Sequence, residues 1–158
     1  MTSRRWSRGT TRCECWEVNL EPDELEALLA RARKESPGAI LQAFKAGGTP
    51  NLGAIEIIAA QTLAASQSGA TLAERPEFDL LLRLAGTRQI GEAIGQVGYR
   101  SNGKRLFLVA AWASGGAEPK GLRRLASRDE RFERIAKRPP NIDDLELVER
   151  AAILAAGP

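Results

Sequence analysis

"CECWEVNLEPDELEALLARARKESPGAILQAFKA", residues 13–46, decides the fold. Its first eight residues alternate, with Cys13, Cys15 and Glu17 on one side of a strand and Trp16, Val18 and Leu20 on the other. "EPDELEALLARARKE" (21–35) then switches to a helical period. Pro22 suits the first turn, acids crowd the front, and Arg31, Arg33 and Lys34 sit at the back, as the helix dipole favours. Leu25, Leu28, Leu29 and Ala32 form the stripe to be buried. "SPG" (36–38) stops the helix, and "AILQAFKA" (39–46) reads as a second strand. A β-α-β opening of this kind implies an α/β domain.

Outward from that unit the pattern continues. "GGTPNLG" (47–53) is a turn, and "AIEIIAAQTLAASQ" (54–67) is a helix so apolar around its circumference that it belongs at the centre. Pro76 opens a helix over 76–85, and "KRLFLVAAW" (104–112) is a nearly continuous apolar run of strand length. "LRRLASRDERFERIAKR" (122–138) reads as helix. After a "PPN" break comes a last helix over 142–156, capped by Asn141, with Asp143 and Asp144 in its first turn and Leu145, Val148, Ala152 and Ala155 facing inward. The expectation is a single small α/β domain over 13–158, with a short mixed sheet of three or four strands packed with several helices. Residues 1–12 read as an added basic arm carrying Arg4, Arg5, Arg8 and Arg12.

Composition narrows the chemistry. The chain has 158 residues, 43% hydrophobic and 27% charged, which suits one domain with its own core. It contains no histidine, so the commonest general base and metal ligand are missing, along with every Ser-His or Cys-His pair. Cys13 and Cys15 share one face of a strand, where two thiolates alone do not complete a zinc site. They read as small apolar residues, and with no secretory signal the expected compartment is the cytoplasm. No membrane segment, metal or cofactor is expected. Gly103-Lys104 lacks the rest of a Walker loop, and the glycines of "GEAIGQVG" fall inside a helix and not in a strand-to-helix turn. The net charge of +3 is concentrated in the N-terminal arginines and between Lys120 and Arg138, which invites a polyanion.

"AGTRQIGEAIGQVGY" (85–99) is the stretch that bears on function. Ile90, Ala93, Ile94 and Val97 fall at helical spacing and read as a core face. Gly91, Gly95 and Gly98 make a bare stripe beside it, which would let another helix approach closely. Thr87 is placed to cap the helix, and Arg88 and Gln89 gather with the free N–H groups of its first turn, a natural phosphate site. Gly86 precedes them, and Arg75 would join if the two helix starts lie close.

Arg88-Gln89-Ile90, Ala93-Ile94 and Gly98 together resemble the signature of the small regulatory subunit of the KEOPS complex, the TPRKB family and its archaeal counterparts. The resemblance extends through "ILQAF", "AIEIIAAQTLAA", "FDLLLRLAGTRQI", "KRLFLVAA" and "LELVERAAIL", covering about residues 13–156. The sequence departs from the family pattern at Asp79, where glutamate is usual, at Arg83, where an aromatic is usual, and at Ala85, where serine is usual. The family's basic position aligns at Glu74, with Arg75 one place later.

The resemblance implies a non-catalytic accessory subunit in threonylcarbamoyladenosine tRNA modification. Such a subunit binds the PRPK-type kinase and holds the single-stranded 3′ CCA end of the tRNA. The implied RNA contacts are Gly86, Thr87, Arg88, Gln89 and Arg75. The exposed side of the closing helix, at Leu147, Ile153 and Leu154, is the expected kinase contact. Two other readings come from different classes: a small enzyme working through carboxylates and lysine, and a structural interaction module that binds no RNA.

Overall fold

The computed structural model describes residues 11–45, 52–99, 106–116, 118–135 and 142–155. The side chains of Leu52, Ile142 to Leu145, Leu147, Leu154 and Ala155 fall outside that description. So do the basic arm up to residue 10, most of the turn at 47–53, the turn at 100–103 and the Asn141 cap. In chain order the elements are β1 (Thr11–Val18), α1 (Pro22–Glu35), β2 (Ile40–Lys45), α2 (Leu52–Ser68), α3 (Pro76–Ala85) and α4 (Ile90–Val97). They continue with β3 (Leu106–Ala113), α5 (Lys120–Arg128), β4 (Phe132–Arg134) and α6 (Ile142–Ala155).

The four strands form one sheet in the order β2-β3-β1-β4. The α/β class and the four-stranded sheet are as the sequence implies, but the pairing is antiparallel throughout and not mixed. β1 and β2 do run in the same direction, as a β-α-β unit should, yet β3 is inserted between them. β3 takes the middle because it is apolar on both faces. Leu106, Leu108, Ala110 and Trp112 enter one core, while Val109 and Ala111 enter the other.

Two layers of helix cover the sheet. On one face α1 and α5 bury Leu25, Leu28, Leu29, Ala32, Leu122 and Ala126 against Trp16, Val18 and Leu41. The α1 stripe is the one its sequence implies. On the other face α2, α3, α4 and α6 pack on Cys15, Ile40, Phe44, Val109 and Ala111. The cross-strand pair Phe44 and Phe107 meets edge to face, with centroids 5.9 Å apart. Apolar α2 lies at the centre, as expected, touching β1, β3, α3 and α6.

Three local departures have physical causes. The expected helix over 122–138 ends at Arg128, because Asp129 adopts extended backbone and its carboxylate accepts the N–H of Arg131 at 3.0 Å. The chain then turns to bury Phe132 and pair β4 along β1, covering an edge that would otherwise be open. β1 begins at Thr11, two residues before the expected domain start. In α6 the inward line runs through Val148 and Ala151, while Ala152 is exposed, since the helix packs on α2 and α3 together.

The free edge of β2 is blunted by side chains. Arg33 of α1 donates to the Leu41 carbonyl from Nε at 3.0 Å and Nη2 at 2.6 Å. Gln42 donates to the Glu77 carbonyl at 3.0 Å, which ties the edge to α3. Phe44 also forms a bridge to Gly98. A Cβ at Gly98 would lie 2.4 Å from the Ile94 carbonyl oxygen, so this exit from α4 requires glycine.

Candidate functional site

The turn between α3 and α4 is built to be rigid. Gly86 sits in the left-handed region at φ 70°, and its N–H reaches the Leu82 and Arg83 carbonyls. The Thr87 N–H bonds the Leu82 carbonyl at 3.2 Å, completing a Schellman closure of α3. Arg150 of α6 lies across the turn, with its Cδ 2.9 Å from where a Cβ on Gly86 would stand. The backbone angle is what favours glycine here, while the Arg150 side chain is flexible enough to move aside.

Beyond Gly86 the chain enters α4. Gln89 holds the N-cap position with extended backbone, and no side chain caps the helix there. Thr87 is not the cap: its Oγ1 accepts the Gln89 N–H at 3.2 Å and pairs with Glu92 at 3.2 Å, one step ahead of the helix. Arg88 and Gln89 are both exposed. Arg88 lies within the turn and Arg150 of α6 lies against Gly86, while Glu92 stands in the first turn of α4.

Arg75 does not join them. It precedes α3, and the whole ten-residue helix separates it from the turn, about 15 Å at ordinary helical rise. There its guanidinium pairs with Glu77 and lies 5.1 Å from the Phe78 ring centroid.

The face of α4 also differs from expectation. Ala93 and Val97 are buried, but Ile90 and Ile94 are 40% and 42% exposed. Among the described residues, added Cβ atoms at Gly91 and Gly95 would meet nothing within 4 Å, so these glycines serve no helix packing there. Ile90 and Ile94 are rotated about 40° and about 80° from the middle of the Ala93–Val97 line, and among the described residues α4 is covered on one side only. On α6, Ile153 is 64% exposed, whereas the Leu147 and Leu154 side chains lie outside the described residues.

Sequence reasoning missed Arg150. Its position in "LELVERAAIL" carries a basic side chain, but no local spacing shows that α6 crosses the α3–α4 turn. Burial pushes the Cys15 thiol up to about 12, which keeps it protonated near neutral pH and unsuited to nucleophilic work. Among the described residues there is no cluster of side chains that would hold a metal ion, and no helix long and apolar enough to cross a membrane. No protein-family model matches the sequence, and no curated protein matches it.

Proposed function

We propose that this chain is a non-catalytic accessory subunit of the KEOPS type, acting in threonylcarbamoyladenosine modification of tRNA in the cytoplasm. It holds the single-stranded 3′ CCA end of the tRNA at Gly86, Thr87, Arg88 and Gln89, and it binds a PRPK-type kinase through α6 around Ile153. The observation that carries the reading is the turn itself. A backbone locked by left-handed Gly86 presents Arg88 and Gln89 to solvent at a helix start, with Arg150 beside them. Guanidinium groups and first-turn N–H groups suit phosphates, and an amide side chain suits the edge of an unpaired base.

The test is binding of one tRNA transcript with and without its 3′ CCA, at two salt concentrations. Trimming is expected to weaken binding, and Arg88→Ala is expected to do the same without shifting the unfolding midpoint. Equal affinity for both transcripts, or for wild type and Arg88→Ala, rejects the site. Exposure of Ile90, Ile94 and Ile153 favours a second reading, a protein-interaction module without RNA contact. Partner binding that is insensitive to salt, with no tRNA affinity, supports that reading, since phosphate contacts weaken steeply with salt.

A further inference from the structure

A second arginine cluster lies in the other layer, where α5 meets β1 and β4. Arg12, Glu14, Trp112, Ser114, Arg123 and Arg134 line a cleft of about 510 Å³. A second groove of about 470 Å³ shares Glu14, Arg123 and Arg134 with it and adds Arg124 and Ser127. Arg123 is the fixed point. Its guanidinium carbon stands 5.2 Å from the Trp112 ring centroid, its Nε donates to Glu14, and its Nη1 donates to Glu118. One face of the guanidinium is closed by the buried indole, and the residue remains 39% exposed toward the cleft.

Glu14 is buried, and both its oxygens are engaged: one by Arg123, the other by Arg134 Nη2 at 3.2 Å. The Arg123–Glu14 pair, with buried Leu122 and Ala126, fastens α5 to the sheet. The two grooves nevertheless bring four arginines together against two glutamates. Like charges gathered in a concave site favour an anion.

We propose that this cleft binds a nucleotide, with its phosphate held by Arg12 and Arg134 and its base laid on the open face of Arg123. Arginine forks match phosphate oxygens, and guanidinium planes accept stacked bases. The cleft has the volume of a small-ligand site. The same chemistry is offered by a free mononucleotide or by one residue of a single-stranded RNA, which the adjoining groove with Arg124 would extend. The site stands apart from the Arg88 turn and does not depend on the KEOPS reading.

The experiment is calorimetric titration of the full chain with adenosine 5′-monophosphate and, separately, with a ten-nucleotide single-stranded RNA at low salt. The Arg12→Ala/Arg134→Ala variant is expected to weaken binding roughly ten-fold or more, because charge-assisted hydrogen bonds are lost. Loss of mononucleotide affinity identifies a free-nucleotide site, and loss confined to the RNA identifies a strand site. Arg134→Gln, which retains a hydrogen-bond donor near Glu14, supplies the same readout if the double variant loses its fold. Absence of binding by both probes, or equal binding by variant and wild type, overturns the proposal.

Discussion

α3 and α4 are consecutive helices joined by four residues and packed on each other, yet they live in opposite environments. Along α3 every residue from Asp79 to Leu84 is buried, including a charged pair. Along α4 only Ala93 and Val97 are buried, although the helix is apolar and carries the helical spacing of a core element. Position explains the difference. α3 is wedged among α2, α4, α6 and β2, whereas among the described residues α4 has neighbours on one side. An apolar stripe therefore reports what a helix can bury, and the neighbours decide how much of it they cover. Here the uncovered part adjoins the turn that displays Arg88 and Gln89.

The charged pair within α3 offers the largest test of that contrast. Asp79 is fully buried and Arg83 is 2% exposed, with Nε donating to Asp79 Oδ1 at 2.5 Å. The other Asp79 oxygen accepts the Leu72 N–H at 2.8 Å, which pins the loop before α3. The Arg83 Nη2, though buried, makes no hydrogen bond among the described residues. Asp79→Ala leaves a buried guanidinium without its counter-charge and is expected to cost about 3–5 kcal/mol in chemical denaturation. Asp79→Leu with Arg83→Met should recover most of that loss, because replacing both charges removes the desolvation cost as well. A cost under about 1 kcal/mol for Asp79→Ala would erase the distinction between the helices.

A middle-sized effect comes from the glycines of α4. Gly98→Ala drives a Cβ into the Ile94 carbonyl and is expected to destabilise by about 1–3 kcal/mol. Gly91→Ala and Gly95→Ala meet nothing among the described residues and should each stabilise by roughly 0.5–1 kcal/mol. Opposite signs within one eight-residue helix sharpen the contrast between covered and uncovered faces. Destabilisation by Gly91→Ala or Gly95→Ala, measured as the unfolding midpoint, breaks it.

The smallest effect belongs to a surface pair that mirrors Asp79–Arg83. Arg131 donates to both Asp129 oxygens, and these hydrogen bonds hold the Asp129 carboxyl down at about 2. Because this value lies below the ordinary carboxylate range, the pair's contribution is present above that range and disappears as pH falls through about 2. Arg131→Ala should return the Asp129 midpoint toward the ordinary value in an NMR titration while barely moving the unfolding midpoint. A large stability loss would show that exposed ion pairs in this fold act like buried ones.

The legibility of the fold varies with the range of the deciding contact. The α1 stripe, the Pro22 and Pro76 helix starts and the two-sided β3 strand can be read directly, because period and capping act over one or two turns of chain. The break after Arg128 was hidden, since "SRDERFERI" continues a helical pattern and only burial of Phe132 against β1 turns it into strand. At the candidate site Gly86, Thr87, Arg88 and Gln89 are contiguous and so were legible together. Arg75 joins them only if the two helix starts lie close, and the intervening helix keeps it away. The departures at Asp79 and Arg83 look unrelated along the chain and prove to be each other's partners one helical turn apart.

By itself the sequence determined the kinds and places of most elements, the apolar faces available for burial and the turn that displays Arg88. These depend on residues within a few positions of one another. Tertiary structure alone decided that β3 separates β1 from β2, that α4 remains half uncovered, that Arg150 crosses Gly86, and that Arg12, Arg123 and Arg134 converge. Arg123 and Glu14 are 109 positions apart, and no local period encodes a contact of that separation. It arises only when two layers of helix close on one sheet and bring distant charges to the same edge.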